Sequence, residues 1–273
     1  MAITEKFIGQ LASVLDKVNL YLDTHSPAPV SRWYDLVITS LEPHLREGSY
    51  PPSELLAKAG NVEFGRGKRE RSLQFFAFAM KQAELEDNIE VSAAVYINLA
   101  HFYIAEAKFD LAFKVAEQSV ALATKHGMPA AQVSGLLAAG LALKRMPHLP
   151  RSHRMFASAG QTAREHGLSD LEIRSLMHLS WFDYQSGQLG EATLKLRRAL
   201  DLCAITGNTV DQLRAYFNLG LIQADDGDLP AALRSLVRAR EIRDFHNLQY
   251  GDLKIEHAIE AVEKDLQATE PES

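Results

Sequence analysis

The sequence predicts an all-α solenoid of stacked helical hairpins, and three observations carry that prediction. Small residues recur every 40 positions: Gly60, Ala100, Gly140, Ser180 and Gly220. Three further columns keep the same period. Twelve positions on come Ser72, Ala112, Ser152, Ala192 and Ala232. Four beyond these come Phe76, Ala116, Phe156, Leu196 and Leu236, and three more give Ala79, Ser119, Ala159, Ala199 and Ala239. No gap interrupts the register between 53 and 252, which is the mark of a repeat array whose units stack on their neighbours. An array of this length is expected to behave as one cooperative body.

Each period reads as two helices. In the second, apolar residues recur at helical spacing from Val95 to Ile104 and again from Phe109 to Ala123, with a break at Ala105 to Lys108. The matching breaks hold Gly67, Pro147, Gly187 and Gly227, which are turn residues. Small columns are needed where two helix backbones approach closely, with bulkier residues beside them to fill the space. The periods are drawn at 53–92, 93–132, 133–172, 173–212 and 213–252.

Flanking segments complete the chain. Residues 3–24 and 31–42 read as amphipathic helices, separated by Ser26-Pro27-Ala28-Pro29, so 1–52 forms an N-terminal cap. The segment 253–273 reads as a C-terminal capping helix ending near 267, then a disordered tail from 268. Leu253, Ile255, Ile259, Val262 and Leu266 form its inner face; Lys254, Glu256, Glu260, Glu263 and Lys264 form its outer face. A polar-faced cap stops end-to-end growth.

The pattern resembles the tetratricopeptide repeat. The resemblance rests on Leu99-Ala100 with Tyr96, Tyr103, Phe109 and Ala112, and on Leu179-Ser180 with Gly187, Leu189, Ala192, Leu196 and Ala199. It rests also on Asn218-Leu219-Gly220 with Tyr216, Gly227, Leu229, Ala232, Leu236 and Ala239. It covers 53–252 and implies a right-handed α-solenoid of five hairpins. The usual unit has 34 residues; the six extra residues here are expected in the second helix and its exit. This longer form resembles the units of spindle-orienting Leu-Gly-Asn repeat scaffolds, bacterial peptide-pheromone sensors and kinesin light chains.

Composition narrows the function. A net charge of −6 argues against a dedicated nucleic-acid binder, which carries a basic excess. Cys203 is the single cysteine, so no intramolecular disulfide or thiolate cage forms, and a cytoplasmic location is expected. The N-terminal pattern is interrupted by Glu5 and Asp16 and does not read as a secretory signal, and no apolar run is long enough to span a membrane. Nucleophile-elbow, zinc-protease, Walker and dinucleotide motifs are missing, so no catalytic residue is assigned. No cofactor or metal is expected either. His126, His166 and His246, followed by Gly127, Gly167 and Asn247, read as helix C-termini rather than metal ligands. His148 and His153 are placed in a turn. Two basic clusters, Arg66, Lys68, Arg69 and Arg71, and Lys144, Arg145, Arg151 and Arg154, read as solvated turns.

The remaining candidate is the groove. In the resembled family the first helices line the concave surface, which implies a peptide-binding face made of Asn61, Phe64, Asn98, His101, Lys144, Arg174, His178, Trp181, Tyr184, Arg214 and Asn218. Guanidinium and carboxamide groups grip peptide backbone and carboxylates by paired hydrogen bonds, and aromatic side chains anchor. The lysine of the family's carboxylate clamp is replaced by Ala57, Ile97, Leu137, Met177 and Phe217, an apolar stripe suited to an amphipathic helix. The expected function is a non-catalytic scaffold or adaptor for a protein or peptide partner bearing acidic residues. A peptide-sensing regulator is the first alternative, and an enzyme or enzyme subunit the second.

Overall fold

A computed structural model describes residues 51–248 and 254–269, together with Ser13, Ile38 and Thr39. Every element among them is an α-helix: α1 (Ser53–Gly65), α2 (Arg69–Leu85), α3 (Ile89–Ala105), α4 (Phe109–Lys125), α5 (Pro129–Lys144), α6 (Leu149–Glu165), α7 (Ser169–Gln185), α8 (Leu189–Thr206), α9 (Thr209–Asp225), α10 (Leu229–Phe245) and α11 (Ile255–Thr269). The expected helices at 3–24 and 31–42 fall outside the described residues except at Ser13, Ile38 and Thr39. Ile38 packs with Leu55, Phe75 and Phe76.

In two hairpins, α3 with α4 and α9 with α10, the first and second helices are equally long. Both α3 and α4 have 17 residues, so the extra length is not confined to the second helix. First helices begin at Ile89, Pro129, Ser169 and Thr209, four residues ahead of the boundaries drawn from the apolar columns. Their opening turns are set by local start signals instead. Asn88 accepts from the N–H of Val91, Asn208 from that of Asp211, and Pro129 takes the first helical position where no donor is needed.

Helix ends follow one rule. At eight of them an N–H reaches back to the carbonyl five residues earlier, as in Lys108 to Tyr103 (2.8 Å) and Met128 to Ala123 (2.9 Å). This closure requires a left-handed residue between, and the chain supplies one each time. Gly127 and Gly167 take that conformation after His126 and His166, and Asn247 after His246. Ala107 and Asp87 take it as well, without glycine's freedom. The end of α5 differs because Pro147 stands at the left-handed position, which its ring-locked negative φ forbids. There Met146 donates to Leu143 at 3.1 Å.

All twenty residues of the four periodic columns are buried. Their sizes are matched across each hairpin. A Cβ on Gly60 would stand 2.5 Å from the Phe76 ring, and one on Gly220 would stand 2.6 Å from Leu236 Cγ. Where the first column holds Ala100, the bulky column shrinks to Ala116, and both are fully buried. Buried hydroxyls in this packing are satisfied by carbonyls: Ser72 donates to Gly60 (2.9 Å) and Ser119 to Ala93 (3.1 Å).

The contacts divide the chain into two compact units, Met1–Leu149 and Pro150–Ser273. In the first, α1 pairs with α2, α3 with α4, and α5 packs on α4. In the second, α7 pairs with α8 and α9 with α10. Ser175 of α7 donates to the Phe156 carbonyl of α6 at 2.6 Å. The helix α11 sets Ile255, Ile259 and Val262 against Ala232, Leu236 and Ala239, while Lys254, Glu256, Glu260, Glu263 and Lys264 stay exposed. Ala268 and Thr269 are helical rather than part of a tail.

Candidate functional site

In the first unit, Asn61 and Phe64 lie on α1, Asn98 and His101 on α3, and Lys144 at the end of α5. None is fully buried, and His101 is exposed. Phe64 is less available than the sequence implies. Its ring packs 5.6 Å from Phe102, and the Arg69 guanidinium sits 4.6 Å above it, a cation–π contact. Burial, and then the neighbouring charge of Arg145, push the Lys144 ammonium down to about 8.

The three arginines of the first basic cluster are held by internal carboxylates, while Lys68 is exposed. Glu63 is fully buried, and Arg66 and Arg71 approach its carboxylate to 3.4 Å and 3.7 Å. Arg69 pairs with Glu106 at 3.1 Å. In the second cluster, Arg151 and Arg154 lie inside α6 and not in a turn. His153 is also inside α6, edge-on to Phe182 at 5.3 Å.

In the second unit, α7 carries Arg174, His178, Trp181 and Tyr184, and α9 carries Arg214 and Asn218. The two helices touch and are fastened near both ends. At the N-terminal end, Asp211 of α9 is 2% exposed and receives both arginines. Arg214 donates to it at 3.1 Å, and Arg174 approaches at 3.8 Å. Asn208 also donates to Asp211 (3.1 Å) and to Asp170 (3.0 Å). At the C-terminal end, the Tyr184 hydroxyl donates to Asp225. That hydrogen bond is the first cause raising the Tyr184 pKa above the usual tyrosine value.

Between these fastenings lie the groups that face outward. His178 stacks on Phe156 at 4.3 Å, and Trp181 stands edge-on to Phe182 at 4.9 Å. Both remain partly exposed, as does Asn218. The apolar stripe is mostly spent on packing. Ala57 and Leu137 are buried, Met177 packs against Leu176 and Leu196, and Phe217 packs in the cluster of α10 and α11.

Sequence reasoning left two exposed residues on this side out of the site, Leu221 (39% exposed) and Asp225, which it read only as part of an acidic turn. It also missed Asp211, the partner of both arginines. Leu221 follows Trp181 by one 40-residue period, so the column arithmetic already pointed to it. Cys203 is buried, and burial pushes its thiol up to about 12, which leaves it inert at neutral pH.

No family model matches the chain. No curated protein matches it either. Solved structures do. A Rap protein complexed with competence and sporulation factor is 16% identical, covers 98% of this chain and 77% of its own, and gives a TM-score of 0.69. The apo form of the quorum sensor NprR from B. thuringiensis is 10% identical, covers 100% and 73%, and gives 0.66. Kinesin light chain TPR-like repeats from Podosopora anserina are 17% identical, cover 71% and 96%, and give 0.54. The chain has the tetratricopeptide-like helical-repeat fold.

Proposed function

We propose that the chain is a non-catalytic module that binds a protein or peptide segment on the exposed face of its first helices. The partner carries acidic residues, is neither nucleic acid nor membrane, and is met in the cytoplasm. One observation carries the reading. On α7 and α9 the helix–helix columns are buried, yet imidazole, indole and carboxamide groups stay at the surface between two fastenings, and the half-exposed guanidinium groups of the first fastening border them. These groups hydrogen-bond in pairs, and a tryptophan beside them is the usual centre of a binding hot spot. The groove residues assigned from the sequence in the first unit, Asn61, Phe64, Asn98, His101 and Lys144, are proposed as a separate contact set.

A second reading, a peptide-sensing regulator, is favoured by two of the similar structures, one titled with a bound factor and one titled a quorum sensor. The two readings differ in whether the ligand changes the protein. Hydrogen exchange with and without the purified partner separates them.

Binding is tested by affinity capture from native lysate, followed by titration of the purified partner. Trp181→Ala with Arg174→Gln is expected to weaken that affinity by about 100-fold, the loss of one hot spot and one charged contact. Circular dichroism checks that helix content is retained. Lys125→Glu, an exposed change at the end of α4, is the control. Unchanged affinity in the double variant removes the reading.

A further inference from the structure

The helix α11 continues the register of the first helices. Its buried Ile255, Ile259 and Val262 fall 40 residues after the buried Ala215, Leu219 and Ile222 of α9, and α11 touches α9. The outward stripe of α9 therefore has a counterpart on α11, as it has on α7.

On each of these helices the outward residues follow a spacing of 4, 3 and 4, which returns to the same face over three turns. The first row is Arg174 and Arg214 with Lys254, the residue just before α11. The last row is Gln185, Asp225 and Asp265. None of these six is buried. Between the borders lie two rows, His178, Asn218 and Ala258 and then Trp181, Leu221 and Ala261, all at least partly exposed. The face is thus basic along one border, acidic along the other, with an apolar row beside a mixed polar one at its middle. Asp211 compensates one of the two arginine charges and leaves the border positive.

The dimensions choose the occupant. Eleven residues at 1.5 Å each set the borders about 16 Å apart. An extended strand occupies a width of about 4.8 Å and cannot meet both borders. A helix with its side chains is about 10–12 Å across, and long side chains on either flank close the rest. Neighbouring first helices lie about 10 Å apart, the rise of seven residues of a helix laid across them.

We infer that the segment bound by the second unit is an amphipathic α-helix lying across α7, α9 and α11, acidic on the flank over Arg174, Arg214 and Lys254 and basic on the flank over Asp225 and Asp265. Charged positions on each flank repeat every seven residues, and the apolar face meets Trp181 and Leu221. This inference rests on the binding reading above and adds the form and polarity of the ligand.

Three synthetic 21-residue peptides with one shared apolar face test it on the full chain. The first has glutamates on one flank and lysines on the other. The second has the same composition with the charges mixed on both flanks. The third is the first with a central proline. The polarised helix is expected to bind about tenfold tighter than the mixed one, and the proline peptide about 100-fold weaker. A spin label on the peptide N-terminus reports direction. A fourth peptide with the two flanks exchanged should bind turned end for end, so its label moves to the opposite side of the face, between the Arg174 and Lys254 ends. Lys254→Glu with Asp265→Lys, both exposed, is expected to reduce the preference for the polarised peptide. Equal affinity for polarised and mixed peptides, tight binding of the proline peptide, or no binding of any peptide overturns the inference. In those cases the loss in the Trp181→Ala, Arg174→Gln variant with the natural partner still decides the binding reading by itself.

Discussion

The Arg214 guanidinium lies 3.1 Å from Asp211, one turn earlier on α9, and the same buried carboxylate also receives Arg174 from α7. The anion that the two arginines hold is therefore supplied first by the protein. Asp211→Ala should lower stability by about 1–3 kcal/mol, through loss of charged hydrogen bonds from Arg214 and Asn208. The ionic part is small because both arginines are about half exposed. Affinity for an acidic peptide should rise at the same time. Urea unfolding and peptide titration on the one variant check the opposite signs; a parallel fall in both would show that Asp211 only shapes the fold.

Size matching across the hairpin gives a second expectation. Gly220→Ala places a Cβ 2.6 Å from Leu236 Cγ and 3.2 Å from the Ala232 carbonyl. Overpacking at about 1–3 kcal/mol exceeds the helix-propensity gain of at most about 1 kcal/mol. Combined with Leu236→Ala, the pair reproduces the Ala100 and Ala116 arrangement. The double variant should be less destabilised than the sum of the singles, measured as a coupling energy by denaturant unfolding.

Ala107 sits at φ 55°, in the left-handed region. Ala107→Gly should stabilise the protein by about 0.5 kcal/mol, since relief of steric strain outweighs the added freedom of the unfolded chain. Gly127→Ala, at φ 64°, should do the reverse by about 1 kcal/mol. Thermal unfolding of both variants is the check, and equal midpoints would mean the closure does not govern stability.

Lys144 provides a pH signature. Its ammonium is pushed from the usual 10.5 down to about 8, first by burial and then by Arg145. Between those values the unfolded chain binds the proton and the folded chain does not, so stability rises as pH increases from about 8 to 10.5. Lys144→Met should be more stable at neutral pH and lose that rise. Unfolding midpoints at pH 7, 9 and 10 test it, and a flat wild-type profile contradicts it.

The repeat architecture was legible because helix packing imposes a size at fixed positions, and every one of the twenty column residues is buried. Four of the five first helices start four residues early, because the columns report only the middle of each helix, while α1 starts at the drawn boundary, Ser53. The caps that open them, Asn88 and Asn208, are local signals outside the periodic pattern. The candidate face was less legible. Arg174 and Arg214 read as available charges, and only three-dimensional structure reveals Asp211 beside both. Arg66 and Arg71 were hidden in the same way by Glu63, a carboxylate on an otherwise apolar stretch. Leu221 and Lys254 obeyed the period and needed only one more step of 40.

The helix closures have a consequence for synthesis. Each is a bond between residues five apart, and each hairpin joins helices adjacent in the sequence. Contacts this local incur little loop-closure entropy and favour rapid folding. A hairpin is complete once about 40 residues have left the ribosome, without waiting for anything downstream. Within each unit, structure can therefore grow in the order of translation, each finished hairpin offering a packed surface to the next nascent helix.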